Sequence, residues 1–151
     1  MSALRDAVAA VVDPELRVVT IEELGILRDV TVDGAGRATV TITPTYSGCP
    51  AMDVIRADVV AAARAAGYPD AAVRTVLAPA WSTDDITDAG KAKLAAAGIA
   101  PPGPRLLTIG FRCPHCGSPD TERLSTFGST PCKALWRCRA CTEPFEAVKP
   151  L

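Results

Sequence analysis

Two pairs of cysteines near the carboxyl end have the spacing of metal-binding knuckles. The pairs are Cys113-Pro-His-Cys116 and Cys138-Arg-Ala-Cys141, and 21 residues separate them. Two Cys-x-x-Cys pairs at this separation are typical of a four-thiolate zinc ribbon. The surrounding segment is too short to build a large core, so a bound ion would supply folding free energy that burial cannot. We therefore predict that Cys113, Cys116, Cys138 and Cys141 hold a structural zinc ion.

Two disulfides, four unligated thiols and an iron site are the other interpretations of these four cysteines. The sequence shows no apolar signal core and no run as long as a membrane span, so we expect a cytoplasmic protein with reduced cysteines and no membrane partner. Four thiolates also hold a rubredoxin-type iron or a cluster. Rubredoxin-like knuckles favour glycine after their second cysteine. Gly117 fits this pattern but Thr142 does not, which favours zinc.

The charge is close to neutral overall and unevenly distributed. The net charge is −1, so no global field attracts nucleic acid. Residues 1–102 carry 9 basic and 13 acidic side chains, a balance of −4, and residues 103–151 carry 7 and 4, a balance of +3. A nucleic-acid-binding ribbon is an alternative, but the positive balance is modest and no nucleic-acid partner is expected. Basic residues near the knuckles are expected to offset the negative zinc–thiolate site: Arg112, Lys133, Arg137 and Arg139.

Cys49 is the second candidate for chemistry. It lies in Thr43-Pro-Thr-Tyr-Ser-Gly-Cys49-Pro50, just before a predicted long helix. Free N–H groups and the positive end of the helix dipole converge there and favour a thiolate, which is a nucleophile or a metal ligand. Hydroxyls of Thr43, Thr45 and Ser47 are candidates to line the same loop. The alternative is that Cys49 is a small buried apolar residue.

Two further residues have less specific patterns. Cys132 lies between the knuckles, and it is a replacement ligand, a reactive thiol beside Lys133, or a packed residue. His115, the single histidine, stands inside the first knuckle, where side chains usually point away from the metal. Because no second imidazole is present, a catalytic site that needs a histidine base elsewhere is not expected, and no catalytic residue is predicted.

The elements that must position these cysteines follow from periodicity and turn signals. Ser2 is expected to cap a helix over residues 3–12, and Thr20–Glu23 has the capping-box spacing. Alternation predicts strands over 26–32 and 38–43 around the turn Asp33–Gly36, and a third strand over 73–77. Helices are predicted over 50–66, after Pro50, and within 84–97.

A proline-rich segment marks the predicted domain boundary. Pro101-Pro-Gly-Pro104 is a stiff linker, so we expect domains at residues 1–102 and 103–151. The order helix, strand, strand, helix, strand, helix predicts an α+β fold, a small sheet covered by helices. A small β-rich zinc ribbon would follow it.

The motifs together resemble known families. The amino-terminal part resembles the iron–sulfur assembly domain of SufT-like proteins through Asp13-Pro-Glu15, Ile21–Leu27, Thr43-Pro-Thr45 and Ser47–Ala51. With the tail included, the chain resembles the PaaD (also called PaaJ) family of auxiliary subunits of bacterial phenylacetyl-CoA 1,2-epoxidase systems. The tail motifs are Cys113–Gly117, Phe127–Thr130, Cys132-Lys-Ala134, Arg137-Cys138, Cys141 and Glu143-Pro-Phe145.

The resemblance implies an accessory role in phenylacetate catabolism, without catalysis by this chain. Its partners would be the oxygenase component, which has a di-iron centre, and the reductase component, which has a flavin and a [2Fe–2S] cluster. In the assembly family the cysteine that matches Cys49 is the functional residue, so Cys49 is expected to hold iron or an iron–sulfur centre transiently, across a homodimer. The alternative is a redox or protein-docking metal ribbon, acting in electron transfer or nucleic-acid binding.

Overall fold

The structure is a computed structural model that describes residues 1–46, 48–102 and 110–149. The chain divides into two compact units, Met1–Asp85 and Ile86–Leu151. The described residues contain three helices and seven short strands, and the strands form two separate sheets. The predicted α+β class is confirmed.

The first unit is a three-stranded sheet with two helices. Its elements are α1 Ser2–Ala9, β1 Leu27–Val32, β2 Ala38–Ile42, α2 Ala51–Ala65 and β3 Ala72–Thr75, followed by a 3-10 turn at Thr83–Asp85. The sheet order is β1-β2-β3, with β1 antiparallel and β3 parallel to β2. Because β2 and β3 are parallel, the chain must cross over between them, and α2 is that crossover.

The core of the first unit lies between the helices and the sheet. α2 buries one face, Ala51, Met52, Ile55, Val59 and Ala63, whose spacing of about four residues is the helical period. Alternate residues of β2, Ala38, Val40 and Ile42, are buried as well. Burial of these apolar side chains supplies most of the driving force for the unit.

Two local motifs were predictable from turn chemistry. The Thr20 N–H donates to Glu23 Oε2 at 3.0 Å, and the Glu23 N–H donates to Thr20 Oγ1 at 3.2 Å, which is the reciprocal pairing of a capping box. In the β1–β2 turn, Asp33 Oδ1 accepts from the N–H groups of Ala35 and Arg37, both at 2.9 Å. These bonds, with the guanidinium of Arg37, hold the pKa of Asp33 below its usual value.

The second unit contains one helix and a four-stranded sheet. Its elements are α3 Asp88–Ala96, β4 Ile99–Ala100, β5 Thr121–Ser125, β6 Lys133–Cys138 and β7 Pro144–Val148. The sheet order is β4-β7-β6-β5; β6 is antiparallel to both β5 and β7, and β4 is parallel to β7. Its small core clusters Phe111, Cys113, Cys138, Phe145 and two alanines.

The second compact unit includes a short strand that precedes the proline-rich segment. The compact units divide after Asp85, and β4, at Ile99–Ala100, pairs with β7 of the cysteine-bearing sheet. This pairing joins the residues before the proline-rich segment to the second unit. Gly103 and Pro104 of the expected linker lie outside the described residues. The assignment of domains to residues 1–102 and 103–151 stays a prediction.

Candidate functional site

The four paired cysteines lie together in the second unit. All four Sγ atoms lie within 4.8 Å of one another, with Cys113 and Cys141 Sγ 3.7 Å apart and Cys116 and Cys138 Sγ 3.6 Å apart. Four thiolates around a tetrahedral zinc ion, with Zn–S bonds of about 2.3 Å, have S–S edges of about 3.8 Å. The separations of 3.7 and 3.6 Å are close to this edge length, and no pair of sulfurs is further apart than 4.8 Å, so these four residues could hold such an ion.

The two knuckles have similar backbone hydrogen bonds. In each, the N–H of the first cysteine donates to the carbonyl five residues later: Cys113 to Ser118 at 2.9 Å, and Cys138 to Glu143 at 3.0 Å. In each knuckle a backbone N–H also donates to the first sulfur at 3.4 Å. Such N–H···S bonds stabilise a thiolate and fix its direction, as expected of groups around a metal ligand.

Three thiols of the cluster have pKa values that their neighbours shift. The N–H of Cys141, with those of its neighbours, lowers the pKa of Cys138 to about 7. The pKa of Cys141 is raised to about 12, because desolvation and the adjacent sulfurs outweigh the N–H of Glu143 that lowers it. The pKa of Cys116 is also raised, although the N–H of Ser118 opposes that shift. A divalent ion would remove this mutual repulsion and hold all four as thiolates.

The basic residues near the knuckles have other partners than expected. Arg137 and Arg139 both contact Glu122, whose pKa they lower, and Arg139 also lies 3.6 Å from Asp120. Lys133 Nζ lies 3.5 Å from Glu146 Oε1. Three of the four predicted counterions to the metal site are thus bound to carboxylates. Arg112 is the exception, since it donates to the carbonyl of Gly117 at 3.2 Å.

His115 and Cys132 lie outside the cysteine cluster. The side chain of His115 is exposed, and only its backbone N–H contacts a cluster sulfur, as the sequence predicted. Cys132 is half-buried with its Sγ 3.1 Å from Thr130 Oγ1, and the four-cysteine group does not include it.

The Phe127–Thr130 motif forms a loop that Glu146 of β7 holds in place. Ser129 donates to Glu146 from its N–H at 2.6 Å and from its hydroxyl at 3.0 Å. A side chain at Gly128 would collide with the Glu146 carboxylate, which explains the glycine. The N–H of Ser129 and the buried ammonium of Lys133 hold the pKa of Glu146 below its usual value, against the effect of its burial. The motif therefore has a structural role in the ribbon.

Cys49 lies at the start of α2, in a cleft of the first unit. The helix begins at Ala51 after Pro50, and Cys49 is half-buried. A cleft of about 390 Å³ is lined by the loop before α2, the first two turns of α2 and the end of β3; we call it the Cys49 cleft. The polar side chains that line it with Cys49 are Asp53, Arg56 and Thr75.

Gly48 gives the loop its path into the helix. Its φ is +75°, in the left-handed region that favours glycine, and no atom of the described residues beyond its chain neighbours lies within 4 Å of where a Cβ would be. The open space beside Gly48 leaves the Cys49 cleft accessible. Cys49 can therefore reach a bound species, and a single protein thiolate leaves the other ligand positions of a metal open for exchange.

Two of the hydroxyl residues that were expected to line the loop beside Cys49, Thr43 and Thr45, are not among the described residues that line the Cys49 cleft. Thr43 is buried, and its Oγ1 donates to the carbonyl of Val76 at 2.8 Å, so it fixes β2 to the chain after β3. Thr45 lines a second, smaller cavity of about 120 Å³ together with Tyr46 and Trp81. Ser47 lies outside the described residues.

Three polar residues of the Cys49 cleft were not predicted from the sequence: Asp53, Arg56 and Thr75. Asp53 and Arg56 stand three apart on α2, four and seven residues after Cys49, so helical periodicity could have placed them on the same side as the thiol. Thr75 had no such signal, because its position depends on how β3 pairs with β2.

Comparison with known proteins finds a matching family for each of two parts of the chain. Residues 2–80 match the family described as iron-sulfur cluster assembly protein, and residues 104–149 match the PaaD zinc beta ribbon domain. A relative from Escherichia coli (strain K12), provisionally named as a component of 1,2-phenylacetyl-CoA epoxidase, is 43% identical over 141 residues. The match covers 91% of this chain and 85% of the relative. The chain belongs to the PaaD family.

Solved structures share part of the fold of this PaaD-family chain. The domain of unknown function DUF59 from Bacillus anthracis is 34% identical, with a TM-score of 0.56, and the match covers 62% of this chain and 89% of that one. A conserved hypothetical protein from Thermotoga maritima, 23% identical with a TM-score of 0.52, shares the fold over 62% of this chain and 91% of its own. Residues 1–46, 48–102 and 110–149 contain no candidate membrane-spanning helix.

Proposed function

We propose that this chain is a non-catalytic auxiliary subunit of a phenylacetyl-CoA 1,2-epoxidase system in phenylacetate degradation. In this proposal it assembles or delivers iron or iron–sulfur centres to the oxygenase or reductase component. The support is its 43% identity to a relative named as a component of that epoxidase, and the match of residues 2–80 to an iron–sulfur assembly family.

The observation that carries the proposal is the different placement of the cysteines. Four are gathered with their sulfurs within 4.8 Å of one another, and Cys49 lies in the other compact unit, in an accessible cleft. A closed set of four thiolates has no open coordination position and suits a permanent structural ion. A single thiolate in a cleft suits a cargo that is bound and released. We assign structural zinc to the cluster and transient iron or iron–sulfur cargo to Cys49.

A second copy of the chain is part of this proposal. Iron–sulfur clusters are normally held by four protein ligands, and the Cys49 cleft offers one thiol. Cys49 residues of two copies, or of this chain and its recipient, would share a cluster during transfer. Equilibrium sedimentation with and without reconstituted cluster measures whether the cargo promotes dimers.

A redox iron in the ribbon is the second candidate. Thr142 has a φ of +66°, close to the +78° of Gly117, so both knuckles have the backbone that rubredoxin-like sites favour despite the missing glycine. Iron in four thiolates is coloured and bleaches reversibly on reduction, whereas zinc is colourless. The visible spectrum of the purified chain therefore separates the two candidates.

Replacement of Cys49 in the reconstituted pathway tests the proposed function. Cys49→Ser should leave the fold and the ribbon metal intact and abolish maturation of the epoxidase, measured as iron content and activity of the oxygenase. Cys132→Ser is the matched control, because it removes a half-buried thiol outside both sites, and it should support full maturation. Full epoxidase activity with Cys49→Ser would end the proposal.

A further inference from the structure

Arg56 is fixed on the wall of the Cys49 cleft. Its Nη2 and Nε both donate to Thr75 Oγ1, at 2.7 and 3.2 Å, and so join α2 to β3. Its Nη1 forms an ion pair with Asp53, 3.4 Å from Oδ1. Because two N–H groups share one acceptor on the opposite element, the guanidinium is held in the cleft although its side chain is 44% exposed.

The two charged side chains that line the cleft are unequally exposed to water. Arg56 is the one cation among the described residues that line it, and Asp53 is the one anion. The Asp53 side chain is 89% exposed, so water screens its charge more strongly than that of Arg56. The fifteen-residue α2 begins at the cleft, and its dipole adds partial positive charge at that end.

We infer that Arg56 is the specificity-determining residue of the Cys49 cleft and that the cleft takes an anionic species. The inference rests on the proposed function and names the class of its cargo. Iron–sulfur species that thiolates or carboxylates coordinate carry negative charge, whereas the hydrated ferrous ion is a cation. Arg56 therefore favours cargo that arrives as an anionic, already coordinated centre over free ferrous iron.

A purely structural role of Arg56 is the competing explanation, and a charge-selective probe separates the two. Iodoacetate is an anion and iodoacetamide is neutral, and the Cys49 thiolate displaces iodide from either to form a thioether. We use the ratio of the alkylation rate with iodoacetate to that with iodoacetamide. A change in the exposure or ionisation of the thiol affects both rates equally and cancels in this ratio. Only a change in the local field moves this ratio.

The experiment uses the zinc-loaded full chain at low salt, with alkylation of the Cys49 peptide followed by mass spectrometry. Arg56→Gln keeps a donor for Thr75 but loses the charge, and should lower the iodoacetate-to-iodoacetamide ratio about 3- to 10-fold, as expected of one partly screened charge. Arg56→Lys should keep the ratio, and Asp53→Asn should raise it. High salt should shrink these differences.

Arg64→Gln is the matched control, because it removes a positive charge from the same helix two turns further on, where Arg64 donates to the carbonyl of Pro69. It should leave the ratio unchanged. A ratio that is the same in Arg56→Gln and in the wild-type chain would overturn the inference, whatever Cys49→Ser does to epoxidase maturation. Conversely, full maturation with Cys49→Ser would end the proposed function and leave a measured charge selectivity intact.

Discussion

Thr142 adopts a left-handed backbone conformation in the second knuckle, where the first knuckle has Gly117. A β-branched residue at φ +66° is strained, since its Cβ crowds the backbone in this region. The N–H···O and N–H···S bonds of the knuckle impose the conformation on both residues. The two knuckles are therefore more similar in backbone conformation than the difference between Gly117 and Thr142 indicates.

Relief of this strain should stabilise the ribbon. Thr142→Gly is expected to raise the free energy of unfolding of the metal-loaded ribbon by about 1 kcal/mol. This is the strain that is relieved, minus the additional conformational entropy that glycine loses on folding. Because metal binding and folding are coupled, zinc affinity in chelator competition should tighten about fivefold.

Gly117→Ala is the control of opposite sign. Its φ is +78°, and no atom of the described residues beyond its chain neighbours lies within 4 Å of where a Cβ would be, so only backbone strain is added. It should destabilise the ribbon by about 1 kcal/mol. An unchanged or weaker zinc affinity in Thr142→Gly would show that Thr142 is not strained.

At the scale of elements, the loop between β5 and β6 depends on a partly buried ion pair. Lys133 is buried, with a side-chain exposure of 6%, and Glu146 is its carboxylate partner while also accepting two bonds from Ser129. Glu146→Gln leaves the ammonium without a counter-charge, which should cost about 2–3 kcal/mol of unfolding free energy. Denaturant unfolding of the zinc-loaded chain measures this loss.

The double variant separates the charge from the packing. Lys133→Met with Glu146→Gln removes the unpaired cation and should recover at least half of the lost stability, because an apolar side chain is not penalised for burial. A double variant no more stable than Glu146→Gln alone would show that the loop bonds to Ser129, rather than the ion pair, carry the effect.

The elements show which parts of the fold were readable from sequence. The capping box at Thr20 and Glu23, the turn at Asp33 and the helix after Pro50 all follow from local chemistry, and each is present. β4 was not predicted, because two residues carry no periodicity and Ile99–Ala100 becomes a strand only by pairing with β7.

At the candidate sites, too, local patterns were predictable from the sequence and long-range contacts were not. The gathering of Cys113, Cys116, Cys138 and Cys141 follows from spacing, since each knuckle is local and one ion would join two of them. The contacts of Arg56 with Thr75 and of Lys133 with Glu146 depend on strand pairing across 19 and 13 residues, so no local pattern indicates them. The buried role of Thr43 was missed for the same reason.

At the scale of the whole molecule, the two compact units should respond differently to loss of metal. The second unit has a small core, and its buried cysteines are part of it. Structural zinc contributes about 10–16 kcal/mol to folding of small zinc domains. Chelation should therefore remove hydrogen-exchange protection from β5–β7 and leave β1–β3 protected, because the core of residues 1–85 contains none of the four clustered cysteines.

Two cysteine variants complete this test. Cys138→Ser should reproduce the effect of chelation without a chelator, since it removes a fully buried member of the cluster. Cys132→Ser should behave as the wild-type chain. Retained protection of β6 and β7 after metal removal would show that the ribbon folds on its own core.

The most direct test of the division between a permanent ion and an exchangeable cargo is elemental analysis of anaerobically purified chain, wild type beside Cys49→Ser, after reconstitution with iron and sulfide. We predict one zinc per chain in both proteins, and iron in the wild type alone. Iron retained by Cys49→Ser, or zinc lost from it, would contradict the account, because the four-cysteine cluster and Cys49 would then not hold separate metals.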